Sequence, residues 1–236
     1  MKIKDIQTKI VNAEMRNWVF VKVITDSDIY GWGEATVEWK TRAVAGAIED
    51  LKPLLVGKDP RNIKQNFQIM TKHGFWKMGV IGMTAISGIE HALWDILGKS
   101  LNTPVWQLLG GKVRDKIKIY THLGLGDMQA VYKDTLETSK LNDHAMSLVN
   151  NGYNSFKVVF IPFTHYTNSI DNLKKVNSLM SSLRETVGDK IDIMVDFHGR
   201  CGSGISAIQY IKELEPYNPM FVEEPILPGD DDTFLQ

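Results

Sequence analysis

Apolar and polar positions alternate over the first third of the chain and then pass into helical spacing. Met1 to Val11 alternates, Trp18 to Thr25 (WVFVKVIT) is β-branched and aromatic, and Tyr30 to Val37 (YGWGEATV) reads as a third strand. Asp26-Ser27-Asp28 supplies a polar turn between the last two, so a small antiparallel sheet is expected. Thr41 to Leu55 then places Val44, Ile48, Leu51 and Leu55 on one helical face, with Gly57 and Pro60 beyond its end. Ile63 to Thr71 is a second helix. Met83 to Gly98 is a third, apolar around much of its circumference, which suggests burial on several sides. Pro104 opens a short helix that the Gly110-Gly111 pair stops.

After Arg114 the rhythm becomes strand, helix, strand, helix. Predicted strands are Lys116 to Tyr120, Ser155 to Phe160, Ile191 to Phe197 and Met220 to Val222. The helices between them are Lys140 to Asn150, Asn168 to Val187 and Ser206 to Leu214. Such alternation means parallel strands joined by crossover helices. A doubly wound sheet and an eight-fold barrel both begin this way, and the pattern does not choose between them. The change of rhythm near Lys112-Val113-Arg114-Asp115 sets the expected boundary: a first domain over 1–115 and a second over 116–236.

Composition narrows the class. Of 236 residues, 43% are hydrophobic and 23% charged, ordinary globular values that exclude wholesale disorder. Lys plus Arg number 27 against 28 Asp plus Glu, so there is no basic excess to neutralise a phosphate backbone and no nucleic-acid partner is expected. A single cysteine forms no intramolecular disulfide and no cysteine-rich zinc site, which points to a reducing cytoplasm. The N-terminus lacks the apolar centre of a signal peptide, and no uninterrupted apolar run reaches the ~18 residues of a membrane span, so no membrane partner is expected.

Chemistry gathers at the predicted strand ends of the second half. Lys157 lies in SFKVVF, Asp196 and His198 end IMVDFH, and Glu223 and Glu224 end MFVEE. Ligands of parallel α/β folds bind beyond the carboxyl ends of the strands, so these side chains should converge. Asp196 and Glu223 stand 27 residues apart, one strand-helix-strand step. Two carboxylates on adjacent strand ends make a hard oxygen site suited to Mg²⁺. His198 follows Asp196 by two, so it shares that side if the chain stays extended, poised for proton transfer.

Other signals are weaker. His73, His91, His122, His144 and His165 show no metal-ligand spacing; His91 reads as a helix-packing residue and His144 as surface. Gly124-Leu125-Gly126 lacks the third glycine of a dinucleotide loop, and Gly202-Ser203-Gly204 lacks the spacing of a nucleophile elbow. Cys201 lies near the proposed site with nothing to activate its thiol.

At VDFHGR (195–200) and MFVEEP (220–225) the chain resembles the enolase superfamily, specifically the mandelate racemase-like acid-sugar dehydratases and most of all those acting on galactonate. RNWVFVKVITD, YGWGEATVE and ISGIEHALWDILGKSLNTPVWQLLGGKVRDKIKIY agree in the same order. The resemblance implies an N-terminal α+β capping domain followed by the first half of a modified (β/α)₈ barrel. It implies Asp196 and Glu223 as Mg²⁺ ligands and Glu224 as part of the surrounding carboxylate network. By the same resemblance His198 is the acid on a departing hydroxyl, and Lys157 lies near the substrate carboxylate. Arg16 and Trp18 would fall in a loop that closes over substrate, and Lys77 in a motif where such dehydratases often carry arginine. The implied reaction removes a proton α to a carboxylate and then a β-hydroxyl, giving a 2-keto-3-deoxy sugar acid.

The resemblance also carries departures. Val159 stands where racemases of the family have a second lysine as base, which argues against lysine-based racemisation. A third metal ligand would fall one step on, near residue ~250, and a later histidine beyond it. The chain is therefore expected to be the N-terminal part of such an enzyme, with the parent a homo-oligomer acting on a small sugar acid. An epimerase or cycloisomerase of the superfamily, or a catalytically inactive fragment, are the alternatives. A half-barrel would also leave Met220 to Val222 as an open edge and the inward faces of Phe160, Val195 and Phe221 short of partners.

Overall fold

A computed structural model describes residues 1–14, 16–123, 137–164, 166–229 and 231–235, so Gly124-Leu125-Gly126 and His165 lie outside the described residues. The chain divides into two units, Met1–Asp115 and Lys116–Gln236, each built on its own sheet and core.

In the first unit, β1 (Ile3–Ala13), β2 (Arg16–Thr25) and β3 (Tyr30–Glu34) form an antiparallel meander. Val19, Val21 and Val23 alternate into the core along β2. On β1 the two core residues, Ile3 and Ile6, are three apart and break that alternation. The register shifts between Ile3 and Asp5, and this bulge turns both toward the same side. Helix α1 (Thr41–Leu55) buries Val44, Ile48, Leu51 and Leu55, the face its spacing predicts. Each such side chain contributes on the order of 1.5–3 kcal/mol by leaving water. Helix α2 (Ile63–Lys72) and the short α4 (Val105–Leu108) flank the central α3 (Gly79–Leu101).

Helix α3 lies directly on β3. A Cβ on Gly31 would overlap the Ala92 carbonyl, and one on Gly33 the Gly88 carbonyl, so the YGWG alternation sets how closely helix and strand approach. The helix runs past Gly98, where the sequence suggested an end, because Asn102 makes the left-handed cap at φ 49°. By length and mean hydropathy (1.2) α3 could cross a membrane. Here Ala85, Ile86, Ile89, Ala92, Leu93 and Ile96 are spent in the unit's core. His91 is exposed, its ring near the Ser87 hydroxyl, which corrects its reading as a packing residue.

In the second unit β4 (Thr121–His122), β5 (Ser155–Val158), β6 (Asp192–Asp196) and β7 (Phe221–Glu223) are all parallel and lie side by side in chain order. A doubly wound sheet reverses its strand order at a switch point. This one does not, so it is an arc of a barrel. Helices α5 (Thr138–Asn150), α6 (Ile170–Val187) and α7 (Gly204–Leu214) alternate with the strands, and a short α8 (Asp231–Phe234) follows β7. Leu141, Val176, Leu183 and Tyr210 from the helices share one core with Phe156, Val158, Ile193 and Val195 of the strands.

Two expectations are corrected here. The first strand is not Lys116 to Tyr120: pairing with β5 begins at Thr121, and Ile117 and Ile119 are exposed before it. Val195 and Phe160 do not face the barrel interior. Both belong to the core beneath the helices, because Val195 has the opposite parity from Asp196; Phe221 alone of the three expected residues stays partly exposed.

Candidate active site

Strand register gathers the polar side chains. His122 pairs with Lys157, Lys157 with Met194 and Asp196 with Glu223, so His122, Lys157, Asp196 and Glu223 lie on one face of the arc at its carboxyl end. Residues two steps earlier on that face, Tyr120 and Phe221, meet edge to face at 6.1 Å between ring centroids. They floor the site with apolar surface.

Lys157 is its electrostatic centre. Its Nζ donates to both Glu223 oxygens at 2.9 Å and lies 3.0 Å from Asp196 Oδ2, with only 14% of the lysine side chain and 6% of the aspartate exposed. Burial works against the charge on Lys157, but the bonds to Glu223 and then Asp196 outweigh it, so its pKa is raised and the ammonium persists. His122 is pushed the other way, by burial first and by the Lys157 charge second, which keeps its imidazole neutral.

His198 reaches the site by a turn. The strand ends at Asp196, and His198 adopts φ 52°, followed by Gly199 at 61°; the extended path that would have carried it alongside Asp196 is not taken. Its backbone N–H donates to Asp196 Oδ1 at 2.7 Å, and its Nδ1 lies 3.3 Å from Glu224 Oε2. Glu224 is itself left-handed at φ 44°, and the two turns are tied by the bond from Gly199 N–H to the Glu224 carbonyl at 2.9 Å. Non-glycine residues in this region are uncommon and cluster where a site over-determines them.

Two donor sets thus share Asp196. One is the Asp196–Glu223 pair held by Lys157. The other is Asp196, His198 and Glu224, whose ligand atoms lie within 4.8 Å of one another. Carboxylate oxygens dominate both, which suits a hard divalent cation such as Mg²⁺. Buried Arg200 braces the loop behind them, donating to the Ile161 carbonyl at 2.6 Å. Cys201 is buried and its thiol pushed up to about 11, so it carries no nucleophile. Ser203 of the Gly202-Ser203-Gly204 turn caps α7, its hydroxyl accepting from Ser206 N–H at 3.2 Å.

The remaining expected residues lie in the first unit. Arg16 pairs with Glu38 at 2.7 Å and, with Asn12, Glu14, Asn17, Trp39 and Thr41, lines a cavity of about 200 Å³. Trp18 is partly exposed on β2 against Phe20, and Lys77 is exposed beside Phe75 and Trp76 in the segment before α3. Sequence reasoning missed His122 and Tyr120. The strand-end rule that found Lys157 and Asp196 would have found His122 had it been applied to the first parallel strand.

Known proteins share this architecture. Residues 1–110 match the family described as mandelate racemase / muconate lactonizing enzyme, N-terminal domain, and residues 140–235 the enolase C-terminal domain-like family. A solved enolase-superfamily member from Salmonella Typhimurium is 30% identical with a TM-score of 0.88, aligned over 98% of this chain and 63% of its own. An enolase from Pantoea ananatis with bound D-gluconate and Mg is 28% identical, with a TM-score of 0.83 over 99% of this chain and 62% of its own. An enolase from Agrobacterium radiobacter, suggested to be a galactarate dehydratase and bound to Na and L-malate, is 29% identical, with a TM-score of 0.83 over 99% of this chain and 57% of its own. The chain therefore spans about three fifths of the length of these solved relatives. With both its units matched, the chain belongs to the mandelate racemase / muconate lactonizing enzyme family of the enolase superfamily.

Proposed function

We propose that this chain contributes to a Mg²⁺-dependent dehydratase of sugar acids, galactonate-like in substrate. The convergence of the Lys157 ammonium, the Asp196 and Glu223 carboxylates and the His198 imidazole at one set of strand ends carries this reading. The Mg and D-gluconate bound by the Pantoea ananatis protein support it.

Each residue has a definable task. Asp196 and Glu223, with Glu224 beside them, would hold Mg²⁺, which when bound offsets the negative charge that builds as a proton leaves the carbon next to a carboxylate. Lys157 supplies a positive charge for the carboxylate of the substrate. His198, held against Glu224, donates a proton to the departing β-hydroxyl. Tyr120 and Phe221 lend apolar surface beside these groups. Arg16, Trp18 and Lys77 are assigned to substrate recognition on resemblance.

The test is to incubate the protein with Mg²⁺ and a panel of six-carbon aldonic and aldaric acids and to detect 2-keto-3-deoxy products. Dehydration of at least one supports the proposal. Epimers or lactones as the sole products would replace it with the epimerase or cycloisomerase reading.

A further inference from the structure

All four oxygens of the two expected metal ligands are already engaged. Lys157 Nζ takes both oxygens of Glu223 at 2.9 Å and Asp196 Oδ2 at 3.0 Å, while Asp196 Oδ1 accepts the His198 N–H at 2.7 Å. The ammonium is therefore not beside the carboxylate pair but between its members, where a bridging cation would sit. We propose that Lys157 is a resident cation that neutralises Asp196 and Glu223 until a divalent metal displaces it, and that this displacement frees the ammonium to meet an anionic substrate.

The physical case has three parts. Two carboxylates on adjacent strand ends, partly withdrawn from water, repel each other unless a cation lies between them. Mg²⁺ holds its oxygens at ~2.1 Å, so the ammonium cannot keep the same three oxygens without facing a dication at contact range, where the low effective dielectric magnifies repulsion. The lysine also has somewhere to go. Its Nζ is 6.0 Å from the centroid of the Tyr120 ring, and a four-carbon stem lets it swing over that face. Metal and substrate would then bind in a compelled order, because the charge that receives the substrate is released only by the metal.

This inference rests on the reading of Asp196 and Glu223 as metal ligands, and its test separates the two. Mg²⁺ is titrated calorimetrically into the metal-free 236-residue chain and its Lys157→Met and Lys157→Arg variants. Lys157→Met should bind Mg²⁺ roughly tenfold more tightly than the unaltered chain, a difference of about 1.4 kcal/mol, whereas Lys157→Arg should not gain. Equal or weaker binding by Lys157→Met, with the unaltered chain binding measurably, overturns the displacement and leaves the metal reading standing. Absence of Mg²⁺ binding in every form overturns both. A second measurement needs no variant: modification of Lys157 by an amine-reactive ester, mapped by mass spectrometry, should accelerate several-fold on adding Mg²⁺ while surface lysines such as Lys77 do not change. An unchanged or slower rate at Lys157 counts against the proposal.

Discussion

Lys157 Nζ and Asp196 Oδ2 stand 3.0 Å apart across two parallel strands, one on β5 and the other at the end of β6. Backbone register makes the pairing obligatory. Lys157 lies opposite Met194, and Asp196 is the next residue on the same face, so a lysine of ordinary reach meets it. Replacing Asp196 with Asn should weaken Mg²⁺ binding by at least about tenfold, since Asp196 belongs to both donor sets. Glu223→Gln and Glu224→Gln, titrated alongside, should separate the sets, with Glu223→Gln the weaker binder. Calorimetry reads all three.

His198→Asn is expected to lower dehydration by roughly 10²–10⁴-fold while leaving the thermal transition and Mg²⁺ binding close to those of the unaltered protein. Asn tolerates the left-handed φ of 52° that this turn requires, so loss of folding is not the expected outcome. Full turnover by the variant on every dehydrated substrate would sink the role given to His198.

The contact between α3 and β3 predicts opposite outcomes for two glycines. Gly33→Ala forces a methyl group into the Gly88 carbonyl and should cost about 1–3 kcal/mol. Gly46→Ala, on the exposed side of α1 with nothing within 4 Å of the added carbon, should stabilise by about 0.5–1 kcal/mol. Denaturant titration of the two variants checks both signs.

Acid should weaken the first unit in a defined window. The Arg61 side chain beside Asp59, opposed by burial and aided by the Arg61 backbone N–H, holds that carboxyl at about 2 instead of the ordinary 3.8. A folded-state pKa below the unfolded one gives stability that is full above about 3.8 and lost as the pH falls toward 2. The pair is substantially solvated, so the loss should stay below about 1 kcal/mol. Asp59→Asn should lack this component when unfolding is compared at pH 2.5 and pH 5; an identical acid response in the variant would remove the assignment.

Strand β7 is the outer strand of its sheet among the described residues, and Met220, Phe221 and Leu227 beside it are exposed. Unpaired backbone groups flanked by apolar side chains invite pairing with another chain. The 236-residue polypeptide expressed alone should therefore associate, and light scattering coupled to size-exclusion chromatography should find species above 26.7 kDa. A monodisperse 26.7 kDa species with a sharp thermal transition would contradict this.

What the sequence determined by itself was local. The Val44-Ile48-Leu51-Leu55 face of α1 and the valines of β2 follow from periodicity, because a helix or strand repeats its own geometry. Strand-end placement of Lys157, Asp196 and Glu223 was legible for the same reason. Tertiary structure decided what depends on residues far apart in the chain. The choice of barrel over doubly wound sheet lies in the neighbour relations of strands, which no local pattern encodes. The bridge from Lys157 to Glu223 spans 66 positions and exists only because β5, β6 and β7 pair in one register. His198 defeated the alternation rule because a left-handed turn, tied through Gly199 to the Glu224 carbonyl, replaces extended chain after Asp196. The Glu224 carbonyl that ties this turn lies just past the end of β7, so only the assembled sheet brings it there.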